Sequence, residues 1–382
     1  MENFSFTPLE MPPHIAQLRR QVREFLQTEL AGLTPLQKSR SWTAFDEGFS
    51  RKLGARGWIG MIWPKRYGGH ERSALERYVV LEELLAAGAP VGAHWIADRQ
   101  SGALLLRYGS EAQRQRFLPA IARGEMYFCI GMSEPGAGSD LAGVRTRATR
   151  VEGGWRVNGS KLWTTIADRA HQMIALVRTS GDAGARHEGL SQLIVDLSSP
   201  GVSVRPITDM VGESHFNEVF LDDVFVGDDM LVGQAGDGWK QCTAELSLER
   251  SGPERYLSCH QLLIELVAAA GPNPSEPVRV LIGNLSADLW TIRQMSMSVA
   301  GQLSQGRDPA VEAAIVKDLG AAFEQDLPRL VQAILGEDLP RSRGSALLTV
   351  MTYLLQTSPS FSLRGGTREI LRGIIARGLG LR

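Results

Sequence analysis

Cysteine is scarce: the 382 residues hold three, Cys129, Cys242 and Cys259. An odd number with no CxxC pair argues against a disulfide framework and against structural zinc. All three read as small buried hydrophobes. Charge of one sign is missing as well. Lys and Arg number 41 against 42 Asp and Glu, a net of −1 with no long block of either sign. Neither nucleic acid nor an anionic membrane is therefore an expected partner. Long apolar runs are absent. The stretch 262–270 is broken by Glu265, and a membrane span needs roughly 18 apolar residues. The start MENFSFTPLEMPP has no basic region followed by an apolar one, so no secretion signal is expected and the cytoplasm is the expected compartment. Neither an internal repeat nor a low-complexity tract is evident.

What is present is organised in three parts. At about 150 residues per domain, the length suits two or three domains. Between Pro13 and Arg123 apolar residues recur at helical spacing, as in Leu18, Val22, Phe25 and Leu26. After Gly124 come a Gly-rich segment and short alternating runs such as TRATRVE, WRVNGSKLWTT and HQMIALVR, which predict antiparallel strands. Beyond Gly238 helical patterns return, interrupted by the Pro/Gly-rich link 271–277. The expected fold is α+β: an N-terminal helical domain (1–123), a barrel-like antiparallel β domain (124–234) and a C-terminal helical bundle of four-helix type (235–382).

Two segments could carry chemistry. GMSEPGAGSDLAG, 131–143, has glycines that let backbone N–H groups approach a ligand, with Ser133 and Ser139 as hydroxyls. On composition alone, a surface turn between the helical and β parts is the simpler reading. In WRVNGSKLWTT, strand alternation places Lys161, Trp163 and Thr165 on one face. An indole beside a hydroxyl suits a flat heteroaromatic ring, and equally a half-buried Trp at an interdomain surface.

GMSEPGAGSDLAG followed by NGSKLWTT resembles the flavin-binding middle domain of the acyl-CoA dehydrogenase family. GWIGMIWPKRYGG, YGSEAQRQRFLPAIARGE, LDDVFVGDDMLVGQAGDGW and GGTREILRGIIARGLGL resemble that family's landmarks in the same order, covering almost the whole chain. The resemblance implies FAD, an acyl-CoA substrate and an electron-transfer flavoprotein as acceptor. Met132, Ser133, Trp163 and Thr165 match positions that hold the flavin ring, and Ser139 one that contacts the thioester arm. The implied reaction is α,β-dehydrogenation, in which a carboxylate takes the α-proton and the β-hydrogen leaves as hydride to flavin N5.

The base departs from the commonest pattern. Many relatives place a glutamate before a Gly-Thr pair near the C-terminus; here residues 364–367 read Arg-Gly-Gly-Thr, and Gly365 cannot take a proton. Other branches carry the base on a C-terminal-domain helix, and Glu249 followed by Arg250 in ELSLERSGPERY matches them. Glu249 is the expected base, Arg250 an acyl-CoA pocket residue and Glu254 the runner-up. Pro253, four residues on, cannot donate to the Glu249 carbonyl, so a kinked helix is predicted. His171, His215 and His260 are isolated, so structural or surface roles are expected of them rather than catalysis. Two family segments that hold the ADP half of a neighbouring subunit's FAD are missing. The corresponding stretches read PNPSEPVRVLIGNLS and LLTVMTYLLQTSPSFSLRGG, although Thr367 and Glu369 match FAD contacts. A homo-oligomer or a hetero-oligomer with a paralogous subunit is expected, with branched or steroid-derived acyl groups favoured. The alternatives are a non-catalytic or half-site subunit and a flavin oxidase.

Overall fold

A computed structural model of the chain describes residues 4–248, 251–336 and 344–381. Two compact units divide it, one comprising residues 1–44, 72–91 and 247–382, the other 45–71 and 92–246.

The first unit is helical. It contains α1 (Pro13–Glu29) and α2 (Pro35–Arg40), and past α3 (Glu47–Ala55), which belongs to the second unit, α4 (Ala74–Ala86). Helix α1 starts with proline at its first position and buries Ile15, Leu18, Val22, Phe25 and Leu26, one stripe at helical spacing. Thr34 with Gln37 and Ser73 with Glu76 form capping boxes that fix the starts of α2 and α4. Ile15, Tyr78, Val79, Met297 and Ala300 form one core cluster. Each fully buried large apolar side chain there contributes about 1.5–3 kcal/mol. Helix α4 also buries two carboxylates. Glu82 is gripped by Arg19 at 3.0 Å and Arg293 at 2.6 Å, and Glu83 by Arg23 at 2.6 Å.

In the second unit α3, α5 (Gly92–Ile96), α6 (Gly102–Tyr108) and α7 (Glu111–Ala122) accompany the sheet. Its strands are β1 (Phe128–Gly131), β2 (Arg147–Val151), β3 (Gly154–Thr165), β4 (Gln172–Arg178), β5 (Leu190–Asp196), β6 (Val202–Ile207), β7 (Phe216–Gly227) and β8 (Leu231–Val232). They run in the order β6-β7-β3-β2-β4-β5-β8, mainly antiparallel, with β1 joined to β4 in parallel. Gly124 turns the chain from α7 into the strands at φ 70°, and a Cβ there would lie 2.3 Å from the Ser50 carbonyl oxygen. Strands β4 and β5 are buried along almost their whole length, and β6 and β7 alternate.

Helix α8 (Gly238–Leu248) is followed by α9 (His260–Ala270), α10 (Glu276–Ser304), α11 (Ala310–Ile334), α12 (Ala346–Thr357) and α13 (Arg368–Gly378). The helix–strand–helix order is the expected one. The expected kink is not. Instead of bending at Pro253, the helical pattern stops: Gly252 is extended (φ −73°, ψ 169°), Pro253–Arg255 form a 3-10 turn, and α9 restarts at His260. Proline lacks the amide donor and pushes the residue before it out of the helical region into the extended backbone that Gly252 adopts, so the helical pattern ends here instead of bending. The three cysteines are free and buried, as expected. Among the described residues no helix is long and apolar enough to cross a membrane.

Candidate functional site

In the second unit the Gly-rich loop is held by one carboxylate. Glu134 and Ala137 exchange backbone hydrogen bonds of 2.9 and 3.1 Å, closing the turn over Pro135 and Gly136. The Glu134 carboxylate accepts from the Arg145 and Thr146 amides at 2.7 and 2.9 Å and from Lys161 Nζ at 2.7 Å. Lys161 also reaches the Met132 carbonyl at 3.4 Å, and the Leu162 amide donates to the Ser133 carbonyl at 2.8 Å. Met132 and Ser133 are thus fastened to β3. Met132 packs against Ala137, Val144, Leu176, Leu190 and Cys242. Burial pushes the Lys161 pKa down against the pull of Glu134. Desolvation also opposes ionisation of Glu134, but Lys161 and the amide bonds hold its pKa below the usual carboxylate range. Arg178 tightens the far end by donating to the Val144 and Ala142 carbonyls at 3.2 and 3.0 Å.

Strand β3 does not keep strict alternation. Its register against β7 shifts between Lys161 and Thr164, and Trp163 sits at φ 60°. Lys161 is consequently enclosed while Trp163 is 55% exposed, so Lys161, Trp163 and Thr165 do not line one face. The bulge is the physical reason, since one extra residue reverses the phase of the pleat. Trp163 meets Phe216 edge-to-face, ring centroids 5.9 Å apart, and Phe216 is the β7 partner of Thr165. The Thr164 hydroxyl and Asn217 side-chain oxygen, on paired residues, are buried without hydrogen-bond partners. Ser139 is exposed on the loop, beside Asp140, which pairs with Arg186 at 2.9 Å.

In the first unit Gly365 and Gly366 take φ of 62° and 100° before Thr367, the N-terminal cap of α13. Glu369 is exposed in the first turn, its carboxylate held below the usual range by its own amide and the Thr367 hydroxyl. Glu249 and Arg250 lie outside the described residues. Glu254 is buried, with Arg255 Nε 3.7 Å away. Two stretches noted for lacking ADP-binding motifs fall largely in helices, and α12 runs as an unbroken helix with no glycine between Ser345 and Arg364. His171 accepts from the Tyr127 amide at 3.1 Å and His215 stacks on Phe216, structural roles both.

Sequence reasoning missed Phe216 and the anchoring function of Glu134. Phe216 was legible only as one alternating residue of HFNEVFLDD, because its pairing partner is some fifty positions away.

Residues 12–125 match the N-terminal domain of acyl-CoA dehydrogenases and residues 129–224 the middle domain. The acyl-CoA dehydrogenase IpdE1 of Mycobacterium tuberculosis is 34% identical, over 96% of this chain and 98% of its own length. The chain belongs to the acyl-CoA dehydrogenase family. Family membership makes it an oxidoreductase and implies a flavin. A further relative, the acyl-CoA dehydrogenase FadE34 of the same organism, is 33% identical over 86% of this chain, which spans 45% of that protein's length. Among solved structures, a Tcur3481-Tcur3483 steroid ACAD superposes with a TM-score of 0.87 at 29% identity, covering 98% of this chain and 99% of that one. The ChsE4-ChsE5 complex from Mycobacterium tuberculosis gives 0.85 at 29% identity, covering 98% and 100%. The residues present fit a flavin ring: an exposed indole, half-buried Ser133 and Thr165, and a loop whose backbone is already fixed.

Proposed function

We propose that this chain catalyses the α,β-dehydrogenation of an acyl-CoA thioester to the 2-enoyl-CoA, with FAD as cofactor and Glu249 as base. The observation that carries the reading is Trp163, a large aromatic left 55% exposed on a left-handed bulge. An exposed aromatic ring held on a sparsely populated backbone conformation fits a ligand contact. Met132, Ser133, Trp163 and Thr165 would hold the flavin ring, and Thr367 and Glu369 would contact the rest of the cofactor. When bound, FAD supplies the acceptor for the β-hydrogen. Glu249 takes the α-proton onto its carboxylate, Ser139 contacts the thioester arm, and Arg250 completes the acyl-CoA pocket. Gly365, lacking a side chain, supports a base elsewhere. An electron-transfer flavoprotein is the proposed acceptor, and the division 1–123, 124–234 and 235–382 the proposed domain organisation.

Resemblance to a steroid ACAD and to a two-chain complex favours a steroid-derived or branched acyl group and a paralogous partner subunit. The glycine-free α12 supports a second reading, in which the partner supplies the missing ADP contacts and this chain is one half of a shared site. Glu249→Gln decides the base: turnover falls at least a thousandfold while flavin absorbance persists, and near-normal kcat would remove Glu249 from the role. The flavin-to-chain ratio, measured alone and after co-expression with a paralogue, separates the two readings. Stoichiometric flavin in the isolated chain would sink the shared site, and hydrogen peroxide in step with turnover would indicate an oxidase.

A further inference from the structure

We infer that Arg364 is a positioning residue that fixes the Gly365–Thr367 loop and ties it to the chain that follows Glu249. The inference rests on the function proposed above and adds how two of its parts are held together.

Arg364 stands immediately before Gly365, and its guanidinium is already committed. Its carbon lies 4.4 Å from the Trp42 ring centroid and 4.1 Å from that of Phe361. Nη2 donates to Glu324 Oε2 at 3.0 Å and to Ser258 Oγ at 3.2 Å. A cation stacked against two ring faces and bonded through Nη2 to two acceptors is held in one orientation. The carboxylate it meets is itself shared. Glu324, 1% exposed on α11, accepts the Ser258 amide at 2.7 Å through its other oxygen. Ser258 lies in the irregular segment 251–259 that precedes α9 and follows Glu249 and Arg250 in the sequence.

Helix α11 supplies a second grip. Lys317, seven residues before Glu324 and so two turns away on the same helix face, is also 1% exposed and donates from Nζ to the Gly366 carbonyl at 2.7 Å. One buried cation and one buried anion of α11 therefore hold the loop at 364 and at 366. Between them the backbone passes through two left-handed residues, a conformation that a free loop would leave readily. Thr367 and Glu369 follow at once, so the clamp sets where both are presented. Through Glu324 the same clamp sets the Ser258 end of the segment behind Glu249.

The test compares Arg364→Lys with the double variant Arg364→Met/Glu324→Gln, which leaves no buried carboxylate without its cation. Amide exchange of residues 365–369 is followed in the flavin-free chain, FAD Kd by fluorescence titration, and the pH profile of kcat/KM in the loaded enzyme. In both variants exchange at 365–369 is expected to rise at least tenfold while α11 stays protected. FAD Kd rises at least tenfold, and the acidic limb of the pH profile moves. Arg364→Lys recovers part of each effect, since it keeps the charge without the planar stack. If the double variant folds and exchanges, binds FAD and titrates within twofold of the parent, Arg364 has no positioning role. A parent chain that binds no flavin alone or with a paralogue would instead overturn the proposed function, and the exchange experiment would still judge the clamp.

Discussion

The buried pair Glu134–Lys161 can be broken from either side, and the two breaks should respond to pH with opposite sign. The Lys161 side chain is fully enclosed, 0% exposed, with Glu134 at 2.7 Å and the Met132 carbonyl at 3.4 Å. Removing one partner of such a pair costs about 3–5 kcal/mol, because the other charge stays buried without compensation. Glu134→Gln belongs at the upper end, since the ammonium has no route to water. Lys161→Met belongs at the lower end, since Glu134 keeps the Arg145 and Thr146 amides. Burial already depresses Lys161, and without Glu134 its folded pKa falls further below the unfolded value of about 10.4. Between those two pKa values the folded state binds fewer protons than the unfolded one. Stability then rises with pH by up to about 1.4 kcal/mol per unit, so the Glu134→Gln deficit shrinks from pH 7 to pH 10.

Lys161→Met does the reverse. Glu134 loses the cation that held its pKa down, its folded pKa climbs above the unfolded value of about 4.3, and the folded state binds more protons. The deficit is then smallest near pH 5 and grows as pH rises through the new folded pKa. Thermal melts between pH 5 and pH 10, with flavin bound and without, read both slopes. Near pH 7 a loss of about 3 kcal/mol corresponds to a fall of roughly 6–12 °C. The double variant, apolar opposite an amide, should recover most of the loss. Deficits below about 1 kcal/mol, or slopes of the same sign in both single variants, would refute the claim that this pair pins the loop.

Trp163→Ala should leave the melting temperature within about 2 °C, because the side chain is half exposed, a class of substitution that changes stability little. Flavin retained after dialysis, read by visible absorbance, should nevertheless fall by tenfold or more, and undiminished retention would detach the indole from the cofactor. Gly365→Glu in a Glu249→Gln background should not restore turnover. At φ 62° a side chain is strained by about 1 kcal/mol, and the carboxylate would not be presented as it is where the loop is built around it. Recovery of turnover above a tenth of the parent's would show that the loop can carry the base.

Much of the fold was readable because its cues are local. The stripe of α1, the Ser73 and Thr34 capping boxes and the turn at Gly124 each occupy a few consecutive residues. The break over 251–259 was only half read. Pro253 argued for a bend, and the extended backbone it imposes on residue 252 ends the helical pattern instead. What the sequence hid depends on distance along the chain. Glu134 and Lys161 are 27 positions apart, and Arg364 and Glu324 are 40 apart. Lys161 was grouped with Trp163 and Thr165, and nothing near Glu134, Glu324 or Arg364 in the sequence names its partner; only the folded chain brings each pair together.

The failure of alternation at Trp163 lies where the proposed chemistry lies, and both have one cause. A regular strand would have turned residues 161, 163 and 165 the same way. It could not then have buried a lysine to anchor the loop and also offered an indole to a ligand. The bulge separates the two tasks: Lys161 faces inward to Glu134, and Trp163 faces out beside Phe216. A left-handed tryptophan costs about 1–2 kcal/mol, and the buried pair next to it holds the backbone there. Loosening the pair should therefore weaken flavin binding before it unfolds the sheet. In Lys161→Met at pH 5, where the stability deficit is smallest, flavin affinity should still be reduced, because the Met132 carbonyl and the Glu134 carboxylate have lost the ammonium that tied them to β3 whatever the protonation of Glu134. Full flavin affinity at that pH would mean that the pair serves stability alone.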